Sequence, residues 1–134
     1  MRVGTAIPQE ETLEIEMRGR DLLTGLPKEI IVNDGQIREA LDRSVRTIVD
    51  SIKATLEMTP PELVADIYER GIVLTGGGAL LRGLDTLISR QAAIPVRIAD
   101  DPLTSVVRGA GHLIDDERLL KDIALPSANE DHFL

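Results

Sequence analysis

Three consecutive glycines, Gly76-Gly77-Gly78, follow the apolar run Ile72-Val73-Leu74 and precede the helix-forming run Ala79-Leu80-Leu81-Arg82. A strand that ends in glycines and restarts as a helix lets bare backbone approach a ligand. It also aims unpaired N–H groups at the same place. The chemistry this permits is recognition of the phosphates or sugar of a nucleotide. The same arrangement makes a tight turn with no ligand, and the local pattern leaves both readings open. Glycine loses more conformational freedom on folding than any other residue, so a run of three favours close approach over a simple turn. Two common phosphate motifs do not fit. A P-loop needs Lys and then Ser or Thr after its last glycine, and Ala79-Leu80 stand there. The dinucleotide pattern G-x-G-x-x-G would place a glycine where Leu81 stands.

Other reactive residues form no constellation. Asp100-Asp101 and Asp115-Asp116 are adjacent pairs, not facing pairs, and Asp101 has a simpler use as a helix cap. Ser44, Ser51, Ser89, Ser105 and Ser127 lack the surroundings of a nucleophile. His112 and His132 are far apart and outside any metal-ligand spacing. With no cysteine, disulfides and thiolate metal sites are excluded. No catalytic residue and no metal ligand is assigned.

Composition narrows the function classes. Hydrophobic residues make up 43% of the 134, enough for a core, which argues against global disorder. Tyr68 and Phe133 are the only aromatics, so the core is aliphatic and base stacking on aromatic rings is nearly excluded. A net charge of -8 gives no reason to bind a nucleic-acid backbone. No apolar run is long enough to span a bilayer. The N-terminal residues lack the apolar stretch of a signal peptide, so cytosol is the expected compartment.

Periodicity places the glycine run in an α/β chain. Leu13-Glu14-Ile15-Glu16-Met17 alternates as a half-buried strand, and Lys28–Val32 reads as a second. Gly19, Gly25 and Pro27 mark turns between them, giving a small antiparallel unit. Asn33 and Gln36 have capping-box spacing ahead of a long helix whose apolar stripe is Ile37, Leu41, Val45, Ile48, Ile52 and Leu56. Thr59-Pro60-Pro61-Glu62 predicts a second helix, with Thr59 as cap and Pro60 as first residue, stopping at Gly71. Strand Ile72–Leu74 leads into the glycines and a helix bearing Leu81, Leu84, Leu87 and Ile88. Strand Ile94–Ile98 and a helix capped by Asp101, with Val106, Val107, Ala110 and Leu113 on one face, complete the pattern. The order implies parallel neighbouring strands.

The stretches VGTAIP, EIEMRGRDLLTGLPKEI, REAL, TPPELVADIYERGIVLTGGGALLRGLD and AAIPVRIADDPLTSVVRGAG closely resemble the C-terminal part of the MreB family of bacterial actin homologues. They span roughly residues 3 to 114. The resemblance implies a partial actin-like fold, mostly the second of two lobes. Residues 1–33 would be a remnant of that lobe's small subdomain and 34–102 part of its large subdomain. Residues 103–122 would be the helix returning to the first lobe, and 123–134 a flexible acidic tail. The family function it implies is an ATP-binding, filament-forming cytoskeletal protein that organises cell-wall synthesis and rod shape. Gly76, Gly77, Gly78 and Ala79 would line the adenosine site. ATP with Mg2+ is the implied cofactor, and the phosphate and magnesium machinery lies in family sequence outside this chain. The chain alone is therefore expected to be inactive. Implied partners are copies of itself in filaments and the cell-wall elongation machinery. The implied location is cytoplasmic, with inner-membrane contact through other regions.

Two other classes compete. The C-terminal half of a superfamily sugar kinase would share the glycine loop, although TPPEL and ADDPLT argue against it. A small autonomous nucleotide-binding module would have to bury its apolar helix faces by itself.

Overall fold

A computed structural model describes residues 3–116 together with 118, 119 and 121. The expected tail over 123–134, the end of the returning helix and His132 lie outside the described residues. Among the described residues, nine named elements follow one another from Glu14 to Asp115. Strands β1 (Glu14–Arg20) and β2 (Pro27–Asn33) pair antiparallel, with Ile15 opposite Val32 and Met17 opposite Ile30. Gly19 sits inside β1, not in the turn. Helix α1 (Asp34–Glu57) starts at Asn33, where the predicted capping box is complete. The Asn33 side chain accepts from the Gln36 N–H (2.9 Å), and the Gln36 side chain accepts from the Asn33 N–H (3.0 Å).

Helix α2 (Pro61–Arg70) leads through Gly71 into β3 (Ile72–Leu74). Its cap is Pro60, not Thr59, whose hydroxyl instead donates to the Thr55 carbonyl (2.7 Å). A residue before proline is pushed out of the helical region, so Pro60 must be extended and helix can begin only at Pro61. Gly71 has φ +79, and a Cβ there would lie 2.6 Å from the Pro95 carbonyl oxygen. Only glycine lets β3 leave α2 so close to the neighbouring strand.

The helix expected straight after the glycines is broken in two. Gly77–Leu80 forms a single 3-10 turn, and α3 (Leu84–Ala92) begins after Gly83, at φ +73. The break has a packing cause: a Cβ on Gly83 would stand 2.4 Å from Ile7 Cγ1. Strand β4 (Val96–Ile98) then pairs parallel with β3, as the element order implies, and Pro95 stands just before it. Helix α4 (Ser105–Asp115) begins after Thr104, which makes no side-chain capping bond, and not after Asp101. Asp101 serves the preceding turn, accepting from the Thr104 hydroxyl, from the Thr104 N–H (3.3 Å) and from the Ser105 hydroxyl (2.7 Å).

The core is aliphatic and lies between α1 and α3. Val45 and Val49 of α1 meet Leu84 and Ile88 of α3, with Leu81 before it. Leu74 and Val96 bring the parallel strands onto this cluster. The buried line of α1 therefore runs through Val49, which the predicted stripe omitted, while Ile48 is 45% exposed. Residues 5–7 lie along the turn before α3: Ala6 N–H donates to the Arg82 carbonyl (2.8 Å), and the fully buried Thr5 donates its hydroxyl to the Ile7 carbonyl (2.6 Å).

Candidate nucleotide site

The glycine loop stands at the C-terminal end of β3, where parallel strands of α/β sheets present ligands. Gly76 has φ +77, a region glycine enters freely, and its N–H donates to the Pro102 carbonyl at 2.6 Å. That bond joins the loop to the turn 101–104, and Pro102 is buried beneath it. Downstream the loop is fixed by residues 5–7 through Arg82. Both flanks are thus held by segments distant in sequence.

Between the flanks the backbone is bare. Gly77 and Gly78 are exposed, and their N–H groups take no partner among the described residues. Nothing lies within 4 Å of the position a Cβ would take on Gly76 or Gly78, whereas on Gly77 it would sit 3.7 Å from Leu103 Cδ2. Ala79 differs from the other three predicted residues. Its side chain is buried and its N–H donates to the Gly76 carbonyl (3.3 Å), so it closes the turn from below. Two residues outside the predicted set stand beside the bare backbone: Leu80 is 47% exposed and Leu103 is 65% exposed. Spacing gave no sign of Leu103, which reaches the loop only through the bond between Gly76 and Pro102. Leu80 could have been found, since a 3-10 turn that buries Ala79 turns its neighbour outward.

Of the other candidate groups, Asp101 stands in the turn bonded to Gly76, where its oxygens are taken by Thr104 and Ser105. Asp100, Asp101, Asp115 and His112 are exposed. Among the described residues, no group of His, Cys, Asp or Glu is arranged to hold a metal ion, and no helix is long and apolar enough to cross a membrane.

A parallel strand pair that ends in a glycine turn under a long packed helix defines this chain as part of an actin-like fold. Two solved structures bear this out. MreB5 of Spiroplasma citri bound to ADP superposes with a TM-score of 0.81 at 34% identity, over 91% of this chain and 36% of that one. The same protein bound to AMPPNP gives 0.79 at 35% identity, over 90% and 36%. The family model for MreB/Mbl protein matches residues 1–122, and the chain belongs to that family. The cell shape-determining protein Mbl of Bacillus subtilis is 47% identical over 116 residues, 87% of this chain and 35% of that protein. The cell shape-determining protein MreB of Escherichia coli K12 is 50% identical over 113 residues, 84% and 33% respectively. The chain spans about a third of the length of the curated relatives it matches. These matches favour a bacterial MreB-like cytoskeletal protein over a sugar kinase or an unrelated nucleotide module.

Proposed function

We propose that the chain is the C-terminal, second-lobe part of an ATP-binding, filament-forming protein that organises cell-wall synthesis and rod shape. In this reading, residues 3–33 belong to a small subdomain and 34–102 to a large one, with α4 leading back to the first lobe. The glycine loop is the wall of the site that receives the nucleoside. The observation that carries the reading is the pair of N–H groups on exposed Gly77 and Gly78 that take no partner among the described residues, with open space beside Gly78. MreB5 bound to ADP and to AMPPNP supports it, because that fold holds a nucleotide. Gly76 and Ala79 shape the turn, and exposed Leu80 and Leu103 give the base an apolar seat. Magnesium and the phosphates are held by parts of the parent protein outside this chain, as are its contacts with membrane and wall-building partners.

Gly78→Val is the cleanest test. The residue has no positive φ and no neighbour to displace, so the fold tolerates the side chain while the approach is blocked. ADP added to the labelled chain should shift the amide resonances of Gly77 and Gly78, and Gly78→Val should weaken that binding by about tenfold or more. Magnesium-ATP turnover by either protein should stay at background. Shifts that avoid residues 76–80, or unchanged affinity in Gly78→Val, would remove the loop from the site.

A further inference from the structure

The downstream end of the glycine loop hangs on one carbonyl. Leu81 N–H donates back to the Gly78 carbonyl (3.1 Å), and the Arg82 carbonyl, one residue on, takes two donors from residues 5 and 6. Ala6 N–H reaches it at 2.8 Å and the Thr5 hydroxyl at 3.3 Å, and no other described residue bonds it. Thr5 has no exposed surface, and its hydroxyl is the centre of a small network. It donates chiefly to the Ile7 carbonyl (2.6 Å), since a single proton serves one good acceptor at a time. It accepts from Gln9 Nε2 (3.0 Å) and from Ile7 N–H (3.4 Å). A hydroxyl that accepts from the N–H two residues on shapes the backbone into a turn. That turn lays Ile7 against Gly83, where the chain has φ +73 and no room for a Cβ.

We propose that Thr5 is a positioning residue for the glycine loop. Its hydroxyl holds residues 5–9 in the shape that fixes the Arg82 carbonyl and Gly83, and these in turn aim the N–H groups of Gly77 and Gly78. Valine would fill the same space with no polar group to satisfy. A buried hydroxyl is costly unless it is partnered, so threonine at this position answers to its hydrogen bonds. The loop has few other holds. Gly76 is tied to Pro102 at the upstream end and Leu81 is packed in the core, and neither reaches the Arg82 carbonyl. A run of glycines has no side chains to pin it, so the direction of its N–H groups is set from its two ends. The shaping of the loop is independent of what binds there, whereas its effect on ADP affinity rests on the proposed reading of the loop as a nucleoside wall.

The test uses the complete 134-residue chain, labelled on backbone amides, with ADP as the probe. Thr5→Val keeps the shape and removes the hydroxyl, and Thr5→Ser keeps the hydroxyl. Thr5→Val should move the Gly77 and Gly78 amide resonances of the ligand-free chain. It should also weaken ADP binding by about fivefold, the size of one net hydrogen bond. Thr5→Ser should bring both close to the parent's values. Thr47→Val removes a hydroxyl that donates to the Arg43 carbonyl (3.0 Å) on the exposed side of α1, and should change neither. If Thr5→Val does not fold, Gln9→Leu decides: Gln9 is exposed, and loss of its amide should move the same two resonances by a smaller step. The proposal is overturned if those resonances keep the parent's positions in Thr5→Val, or in Gln9→Leu where Thr5→Val is unfolded. It is also overturned if Thr5→Ser behaves like Thr5→Val, which would make packing of the methyl the cause, or if Thr5→Val binds ADP as tightly as a parent chain whose residues 76–80 do respond to it. ADP that leaves residues 76–80 of the parent unshifted would remove the nucleoside reading, and the ligand-free resonances would still decide the role of Thr5.

Discussion

The turn between β1 and β2 is organised around a single carboxylate. Asp21 accepts from Lys28 Nζ (3.0 Å) and from the N–H groups of Leu23 (2.9 Å) and Thr24 (3.1 Å). The Lys28 ammonium, and then the two backbone donors, hold its pKa below the ordinary aspartate value. All three interactions favour the charged form. A lowered native pKa means that the stabilisation is present above the unfolded value and is lost as pH falls through the native one. Acidification below about pH 4 should therefore release the Leu23 and Thr24 amides. An NMR titration of Asp21 should give a midpoint below that of a free aspartate, and Lys28→Met should move it up. A midpoint at or above the ordinary value would show that the lysine is not engaged in solution. At the same scale, glycine was the most legible residue. The positive φ at Gly71, Gly76 and Gly83 answers to close approaches or turns that the sequence marks only as Gly. What stands opposite each glycine (Pro95, Pro102 or Ile7) depends on residues far along the chain, which periodicity does not see.

At the scale of elements, local chemistry decided some boundaries and lost others. The start of α1 was readable because both halves of its capping box lie within four residues. Asn33→Ala should remove one half and cost about 1 kcal/mol. Amide exchange in the first turn of α1 should quicken by about fivefold, since that free energy is about that factor in an opening equilibrium. Asn33→Asp, which keeps the acceptor, should leave exchange near the parent rate. If Asn33→Ala exchanges like the parent, the helix start is held by other contacts. One candidate is Asp34, which is buried, donates its N–H to the Leu13 carbonyl (2.9 Å) and accepts from the Leu13 N–H (3.3 Å). The start of α4 departs from the local pattern for a tertiary reason. Asp101-Pro102 has every local mark of a helix start, but the Pro102 carbonyl is taken by Gly76, and the chain spends residues 101–104 on a turn before helix resumes. The expected face of α1 holds at Leu41, Val45 and Ile52 and departs at Ile48, where Val49 meets α3 instead, because that neighbour is not written in the spacing of α1 itself.

Among the described residues, large apolar side chains stay exposed at identifiable places. Met17 and Ile30 share one face of the hairpin at 50% and 48% exposure, and Val106 and Val107 lie on α4 at 78% and 66%. Among the described residues, the largest fully buried side chains are Ile88, Ile94 and Thr5. A good part of the hydrophobic content of the described residues is thus left on several open faces. Single-domain cooperativity comes from burying such faces together, and a structure that leaves them apart gains little by folding as a unit. Heating should give a broad transition with a weak calorimetric peak, the native sample should bind a hydrophobic dye, and sedimentation should show association that grows with concentration. A sharp two-state transition in a monomeric sample would mean that the chain stabilises itself alone. That outcome would support the autonomous-module reading and count against a part of a larger actin-like protein.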